Sequence, residues 1–192
     1  MSKPGRIALF GGTFDPIHLG HLKIAQLAVQ ALGLDEVRFL PCRISPHKTD
    51  TPPTPGHHRL EMIRLAIRDL PWAVADDFDL KAPEPSYSHL TVAAVRRDHP
   101  DARIFWIMGH DQWEALPRWK EPQTLASELE FIVFSRDGNP RAREGWQLHS
   151  LEGTHPASAS TIRESLRAGA PWTEWIPPAV LSYIRKHHLY TS

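Results

Sequence analysis

One run near the start of the chain collects glycines, a carboxylate and two imidazoles: Gly11-Gly12-Thr13-Phe14-Asp15-Pro16-Ile17-His18-Leu19-Gly20-His21. Glycines allow positive φ and let a backbone approach a ligand closely. A helix opening near Leu19 would present unpaired N–H groups and the positive end of its dipole, which together attract an anion, phosphate above all. His18 and His21 are three apart, so on a first helical turn they project to one side, with Gly20 leaving space between them. Two imidazoles beside amide donors can hold charge that develops on a phosphate. The same spacing suits a zinc pair, for which spacing supplies no third ligand, or a plain polar first turn.

Other residues have chemistry of their own. Lys48 lies in a proline-rich segment, where a flexible ammonium can follow a phosphate or simply be solvated. Asp111, just past Gly109, can accept from ribose hydroxyls or cap the following turn. Trp119 can stack on a planar ring or pack in the core. Arg163 follows Ser158 and Ser160, so hydroxyls, amides and a guanidinium at one helix start could share phosphates, or the arginine is a surface charge. Arg136, ending an apolar run, is either a phosphate ligand or a surface charge.

Elements are needed to bring these residues together. The pattern predicts a strand over 6–10 stopped by Gly11-Gly12, a helix over 19–32, a strand over 37–41, and a helix over 58–70 with Met62, Ile63, Ala66, Ile67 and Leu70 at helical intervals. A strand over 72–78 and a helix over 88–97 follow. Residues 104–108 are uniformly apolar, as in a central parallel strand covered on both faces. Strands over 131–134 and 146–151 precede helices over 160–168 and 178–187, the last opening on proline. This alternation predicts a single-domain, doubly wound, Rossmann-like α/β fold spanning 1–192, with a mostly parallel sheet and helices on both faces. Ligands of such sheets bind beyond the carboxyl ends of the strands, where the His18–His21 segment and Asp111 fall. Residues 41–57 hold too much proline for a helix and are too many for a simple connection, which suits a functional loop or a tolerated surface insertion. Residues 158–190 form a C-terminal helical part.

Composition removes alternatives. The 192 residues carry 22 Lys+Arg against 22 Asp+Glu, so no basic field invites a nucleic acid. A hydrophobic fraction of 41% and a charged fraction of 23% fit a globular chain. The longest apolar run is five residues, 104–108, where a membrane span needs about 20. No apolar region of a signal peptide follows Met1, and the single Cys42 excludes an internal disulfide. These features predict a cytoplasmic protein without a membrane partner and leave homo-oligomerisation open. The 12 His and 7 Trp are many for this length, and the pairs His57-His58 and His187-His188 have no evident role.

The segment from Gly11 to His21 resembles the His-x-Gly-His signature of the nucleotidyltransferase superfamily, whose two histidines stabilise nucleotide phosphates during adenylyl transfer. Class I aminoacyl-tRNA synthetases share a related motif, but no Lys-Met-Ser-Lys-Ser-like segment is present and the chain is too short for a tRNA-binding domain. Further segments resemble bacterial nicotinate-mononucleotide adenylyltransferases nearly end to end. Pro46-His47-Lys48 matches their substrate loop, and Ser86-Tyr87-Ser88 matches a Ser-Tyr-Thr segment whose amides contact the nicotinate carboxylate. Met108-Gly109-His110-Asp111, Trp119-Lys120 and Ser158-Ala159-Ser160-Thr161-Ile162-Arg163 match further motifs, and Tyr183-Ile184 through Leu189-Tyr190 matches the closing helix.

The resemblance implies adenylyl transfer from ATP to nicotinate mononucleotide, giving nicotinate adenine dinucleotide and pyrophosphate in NAD biosynthesis. It implies ATP contacts from Gly11, Gly12, Thr13, Phe14, His18, His21, Gly109, Asp111, Ser158, Ser160 and Arg163. It implies acceptor contacts from Thr13, Lys48, Ser86, Tyr87, Ser88, Trp119 and Arg136, with 41–57 as a flexible substrate loop. Catalysis would fall to His18, His21, Lys48 and Arg163, a local positive cluster, with Mg²⁺ held through the ATP phosphates and not by protein side chains. Two departures touch the acceptor side and the second ATP motif: Ser88-His89-Leu90-Thr91-Val92 replaces Thr-Ile-Asp-Thr-Leu, and Ser160 replaces a threonine. Nicotinamide mononucleotide or phosphopantetheine as acceptor, or a non-catalytic nucleotide sensor, are the rival functions.

Overall fold

Parallel strands cannot be joined by tight turns, so each needs a crossover before the next. The computed structural model, which describes residues 4–43, 52–82, 87–135, 138–153, 156–169 and 172–191, follows that rule. β1 (Arg6–Gly12) leads into α1 (Leu19–Leu32), β2 (Glu36–Pro41) into α2 (Gly56–Ile67), and β3 (Ala73–Ala75) into the short α3 (Phe78–Lys81) and α4 (Ser88–Asp98). β4 (Arg103–Gly109) is followed by α5 (His110–Ala115), a 3₁₀ turn at Leu116–Arg118 and α6 (Pro122–Glu128). β5 (Glu130–Ser135) and β6 (Leu148–Glu152) precede α7 (Ala159–Arg167), a 3₁₀ turn at Trp172–Trp175 and α8 (Pro178–Lys186). Among the described residues the sheet has the order β3-β2-β1-β4-β5-β6, and every pairing is parallel. This is the expected doubly wound architecture. Its order reverses between β1 and β4, which opens a crevice beyond their carboxyl ends.

Side chains alternate across each strand, so β1 serves two cores. Ala8 and Phe10 face α1, α2, α7 and α8, where they meet Ala25, Met62, Ile162 and Val180. Ile7 and Leu9 face α4, α5 and α6, where they meet Val92, Trp113 and Leu125. Ile104 to Met108 of β4 are each at most 4% exposed, which is why that run shows no alternation. Among the described residues no helix is long and apolar enough to cross a membrane.

Three differences from the predicted pattern have local causes. The strand expected over 72–78 is only Ala73–Ala75, because Asp76 Oδ1 accepts from the Phe78 N–H at 2.9 Å and turns the chain into α3. α5 and α6 span six and seven residues, too few for a helical period to stand out. Gly11 and Gly12 do not stop β1: they stay in register with Leu40 and Pro41. The left-handed residue of the turn is Phe14, with φ 48°. The glycines are required for space instead. A Cβ on Gly11 would lie 3.0 Å from the Trp106 ring, and one on Gly12 would lie 3.1–3.3 Å from three atoms of the Phe14 ring.

Gly12→Ala therefore overpacks a ring that is 2% exposed. It should cost about 1–3 kcal/mol, read as a lower urea midpoint with an unchanged slope.

Candidate active site

β1 and β4 end on Gly12 and Gly109, side by side at the switch point. Between β1 and α1 the chain turns inward. Phe14 packs edge-on against Phe10 at 5.4 Å and His21 at 4.9 Å, so its ring belongs to the core and only its backbone is available to a ligand. His18 caps α1 with extended backbone and is 6% exposed. Its ring stacks on His21, with centroids 3.7 Å apart and planes at 24°. α1 has no acidic residue in its first turn, so its positive end is not offset there.

The His18 N–H donates to His21 Nδ1 at 3.3 Å. With Nδ1 accepting, the proton of a neutral His21 sits on Nε2. Burial, then the neighbouring His18, hold the His21 pKa well below its usual 6.5. At neutral pH this residue is a neutral donor, which takes His21 out of the expected positive cluster of His18, His21, Lys48 and Arg163. Among the described residues no group of three His, Cys, Asp or Glu side chains is arranged to hold a metal.

The turn is fastened by residues distant in sequence. Arg59, on α2 and 1% exposed, donates Nη1 to the Thr13 carbonyl at 2.8 Å, Nε to the Thr54 carbonyl at 2.7 Å and Nη2 to the Arg43 carbonyl at 3.4 Å. Arg163 Nη1 donates to the Asp15 carbonyl at 2.7 Å. The Asp15 carboxylate, 7% exposed, accepts from the Thr54 N–H at 3.2 Å and the Tyr190 hydroxyl at 2.6 Å. Sequence reasoning missed Arg59, Asp15 and Tyr190 as site residues. A signal existed for Arg59 alone: it shares the buried face of α2 with Leu60, Met62, Ile63 and Ile67, where an unpartnered cation could not stay.

The remaining expected residues fall into three groups. Asp111 lies in the first turn of α5, and its carboxylate lies over the bare Cα of Gly109: a Cβ there would be 2.7 Å from Oδ1. Ser158 caps α7, accepting from the Thr161 N–H at 3.4 Å, and its hydroxyl is 2.7 Å from that of Ser160. Arg163 on the same helix reaches the Asp15 carbonyl, so α7 and the turn that leads into α1 are brought together. On the other face of the sheet Trp119 is half-buried, edge-on to Trp106 at 6.1 Å. Tyr87 stacks with His89 at 5.7 Å, and Ser88 starts α4. Thr91 of α4 donates to Asp79 at 2.7 Å; burial pushes the Asp79 carboxyl up to about 6. Lys48, Ser86 and Arg136 lie outside the described residues.

Comparison with known proteins identifies the family and the fold. The cytidylyltransferase-like family matches residues 9–165. A probable nicotinate-nucleotide adenylyltransferase of Symbiobacterium thermophilum is 39% identical, covering 96% of this chain and 95% of that protein. The nicotinate-nucleotide adenylyltransferase of Bacillus subtilis is 34% identical, covering 97% and 99%. In fold, the chain is similar to Plasmodium falciparum nicotinic acid mononucleotide adenylyltransferase complexed with NaAD, with a TM-score of 0.76 at 21% identity over 96% of this chain and 97% of that one.

Two predictions follow from the fastened turn. His21 titrates near 6.5 when unfolded and lower when folded, so the unfolded state binds the extra proton. Its contribution to stability is full above about pH 6.5 and is lost as the pH falls through the folded value. His21→Asn should therefore lose less stability than the wild type between pH 7.5 and 5 in urea titrations, and the wild-type imidazole signal should titrate well below 6.5 by NMR. Arg59→Met strands buried carbonyls at about 1–3 kcal/mol each, and should lower the urea midpoint far more than Arg68→Met on the exposed surface.

Proposed function

Because the chain belongs to the nicotinate-nucleotide adenylyltransferase family, we propose that the crevice between β1 and β4 carries its reaction by positioning and electrostatics. In that reaction the 5′-phosphate of nicotinate mononucleotide attacks the α-phosphorus of ATP, forming nicotinate adenine dinucleotide and releasing pyrophosphate. A phosphate monoester is largely dianionic at neutral pH, so the protein needs neither a general base nor a nucleophile of its own. It must align two anions and stabilise charge as it builds on the α-phosphate and the leaving group.

The observation that carries this reading is the stacked His18–His21 pair at the start of α1, with the His21 Nδ1 engaged. Its Nε2–H then supplies a neutral donor whose direction is fixed before any ligand arrives. His18 and the amides of Gly11, Gly12, Thr13 and Phe14 would supply the neighbouring ATP contacts, with Arg163, Ser158 and Ser160 on the phosphates and Gly109 and Asp111 at the ribose. Lys48 would follow the transferred phosphate. On the acceptor side, amides of Ser86, Tyr87 and Ser88 would receive the nicotinate carboxylate, Trp119 would stack on the pyridine, and Thr13 and Arg136 would take the phosphate. Imidazole and guanidinium do not suit Mg²⁺, which takes oxygen ligands. The ion would therefore be held by the ATP phosphates, where it adds charge neutralisation, while the side chains orient and donate.

The test is pyrophosphate release with ATP, Mg²⁺ and one of three acceptors: nicotinate mononucleotide, nicotinamide mononucleotide or phosphopantetheine. Turnover is expected with the first in clear preference to the others. His18→Ala and His21→Ala should each reduce kcat/KM by about 10²-fold or more, the usual loss for a preorganised donor. Unchanged turnover in both would overturn the role given to the pair, and pyrophosphate release with none of the acceptors would favour a nucleotide sensor.

A further inference from the structure

Tyr190 and Asp15 are 175 positions apart, yet the phenol donates to Asp15 Oδ1 at 2.6 Å. Asp15 is 7% exposed, so its charge depends on protein donors. Its other oxygen has the Thr54 N–H at 3.2 Å. Burial and the Asp15 charge push the Tyr190 pKa up, so the phenol remains a donor throughout the working pH range. A short O–H···O⁻ contact of this kind is charge-assisted and stronger than a neutral one.

Asp15 is also the residue on which Arg163 rests. The guanidinium donates Nη1 to the Asp15 carbonyl at 2.7 Å, and Asp15 lies in the turn between Phe14, with φ 48°, and the His18 cap. Carbonyl and carboxylate belong to one residue, so a clamp on the side chain limits rotation of the backbone. We infer that Tyr190 is a positioning residue for Arg163: by clamping Asp15 from the C-terminal segment, it fixes the carbonyl on which the guanidinium is seated. Through that seat it sets how Arg163 meets the ATP phosphates. The inference rests on the phosphate role proposed for Arg163. Tyr190 packs its ring against the α1/α2/α8 core, so Tyr190→Phe keeps the packing and removes only the hydroxyl.

The experiment compares wild type, Tyr190→Phe, Arg163→Ala and the double variant in pyrophosphate release with ATP and nicotinate mononucleotide, with ATP affinity measured separately by calorimetry. Tyr190→Phe should raise the KM for ATP about tenfold and leave the KM for nicotinate mononucleotide within about twofold. In the Arg163→Ala background it should add nothing. A merely structural role would lower the melting temperature and the active fraction but leave both KM values in place. An unchanged KM for ATP, or a loss that adds to that of Arg163→Ala, overturns the inference. If the wild type releases no pyrophosphate, the catalytic reading falls, and the clamp is then judged on calorimetry alone: weaker ATP binding in Tyr190→Phe supports it and equal binding overturns it. Should Tyr190→Phe fail to fold, Asp15→Asn keeps an acceptor oxygen without the charge and should show the same ATP-selective loss, and its absence overturns the inference.

Discussion

Within five residues, from Phe14 to His18, the turn between β1 and α1 must bury an aromatic ring, a carboxylate and an imidazole. Burying a charge or an unpaired peptide group costs several kcal/mol unless partners are supplied, and a turn this short cannot supply them itself. Each demand is met from elsewhere in the chain. Gly12 leaves room for the Phe14 ring, Thr54 and Tyr190 satisfy the Asp15 carboxylate, and Arg59 and Arg163 satisfy the carbonyls of Thr13 and Asp15. His18 finds its place on His21 one turn along. The stability of the fold and the geometry of the crevice between β1 and β4 thus rest on the same contacts.

Those contacts also change how the site handles charge. Lys+Arg and Asp+Glu cancel over the chain, and two of the arginines nearest the turn are engaged with peptide carbonyls. His21 is held neutral by burial. If the crevice works as proposed, peptide N–H groups, a helix end and a neutral imidazole, oriented by the fold, stand beside the Arg163 guanidinium as donors to the phosphates. Oriented dipoles need no reorganisation when charge appears on a phosphate, which is the requirement for a reaction whose nucleophile arrives already ionised.

How far this was legible in the sequence depended on range. α1 could be placed at Leu19–Leu32 and the double-sided burial of β4 inferred, because both follow from local periodicity. The closeness of His18 and His21 at the start of α1 was legible because spacing and helix start lie within one turn of each other. The short end of β3 was not, since it depends on one hydrogen bond from the Phe78 N–H to the Asp76 side chain. The fastening of the turn was least legible. Asp15 meets Tyr190 and Arg163 across 175 and 148 positions, and no local pattern records such a pairing.

The surplus of histidine has the same long-range character. His58 Nδ1 lies 2.9 Å from the Tyr183 hydroxyl, the His57 and His58 rings are 4.1 Å apart, and His187 lies 4.2 Å from the Tyr183 ring. His58 and His187, which looked like members of two unrelated pairs, meet where α2 joins α8. That junction bears on the active site because of what each helix carries. α2 brings Arg59 to Thr13, and the segment after α8, where the Leu189 N–H bonds the Ile184 carbonyl, brings Tyr190 to Asp15. Docking one helix against the other fixes two of the anchors of the glycine turn relative to each other, so the end of the chain helps to set the geometry of its beginning.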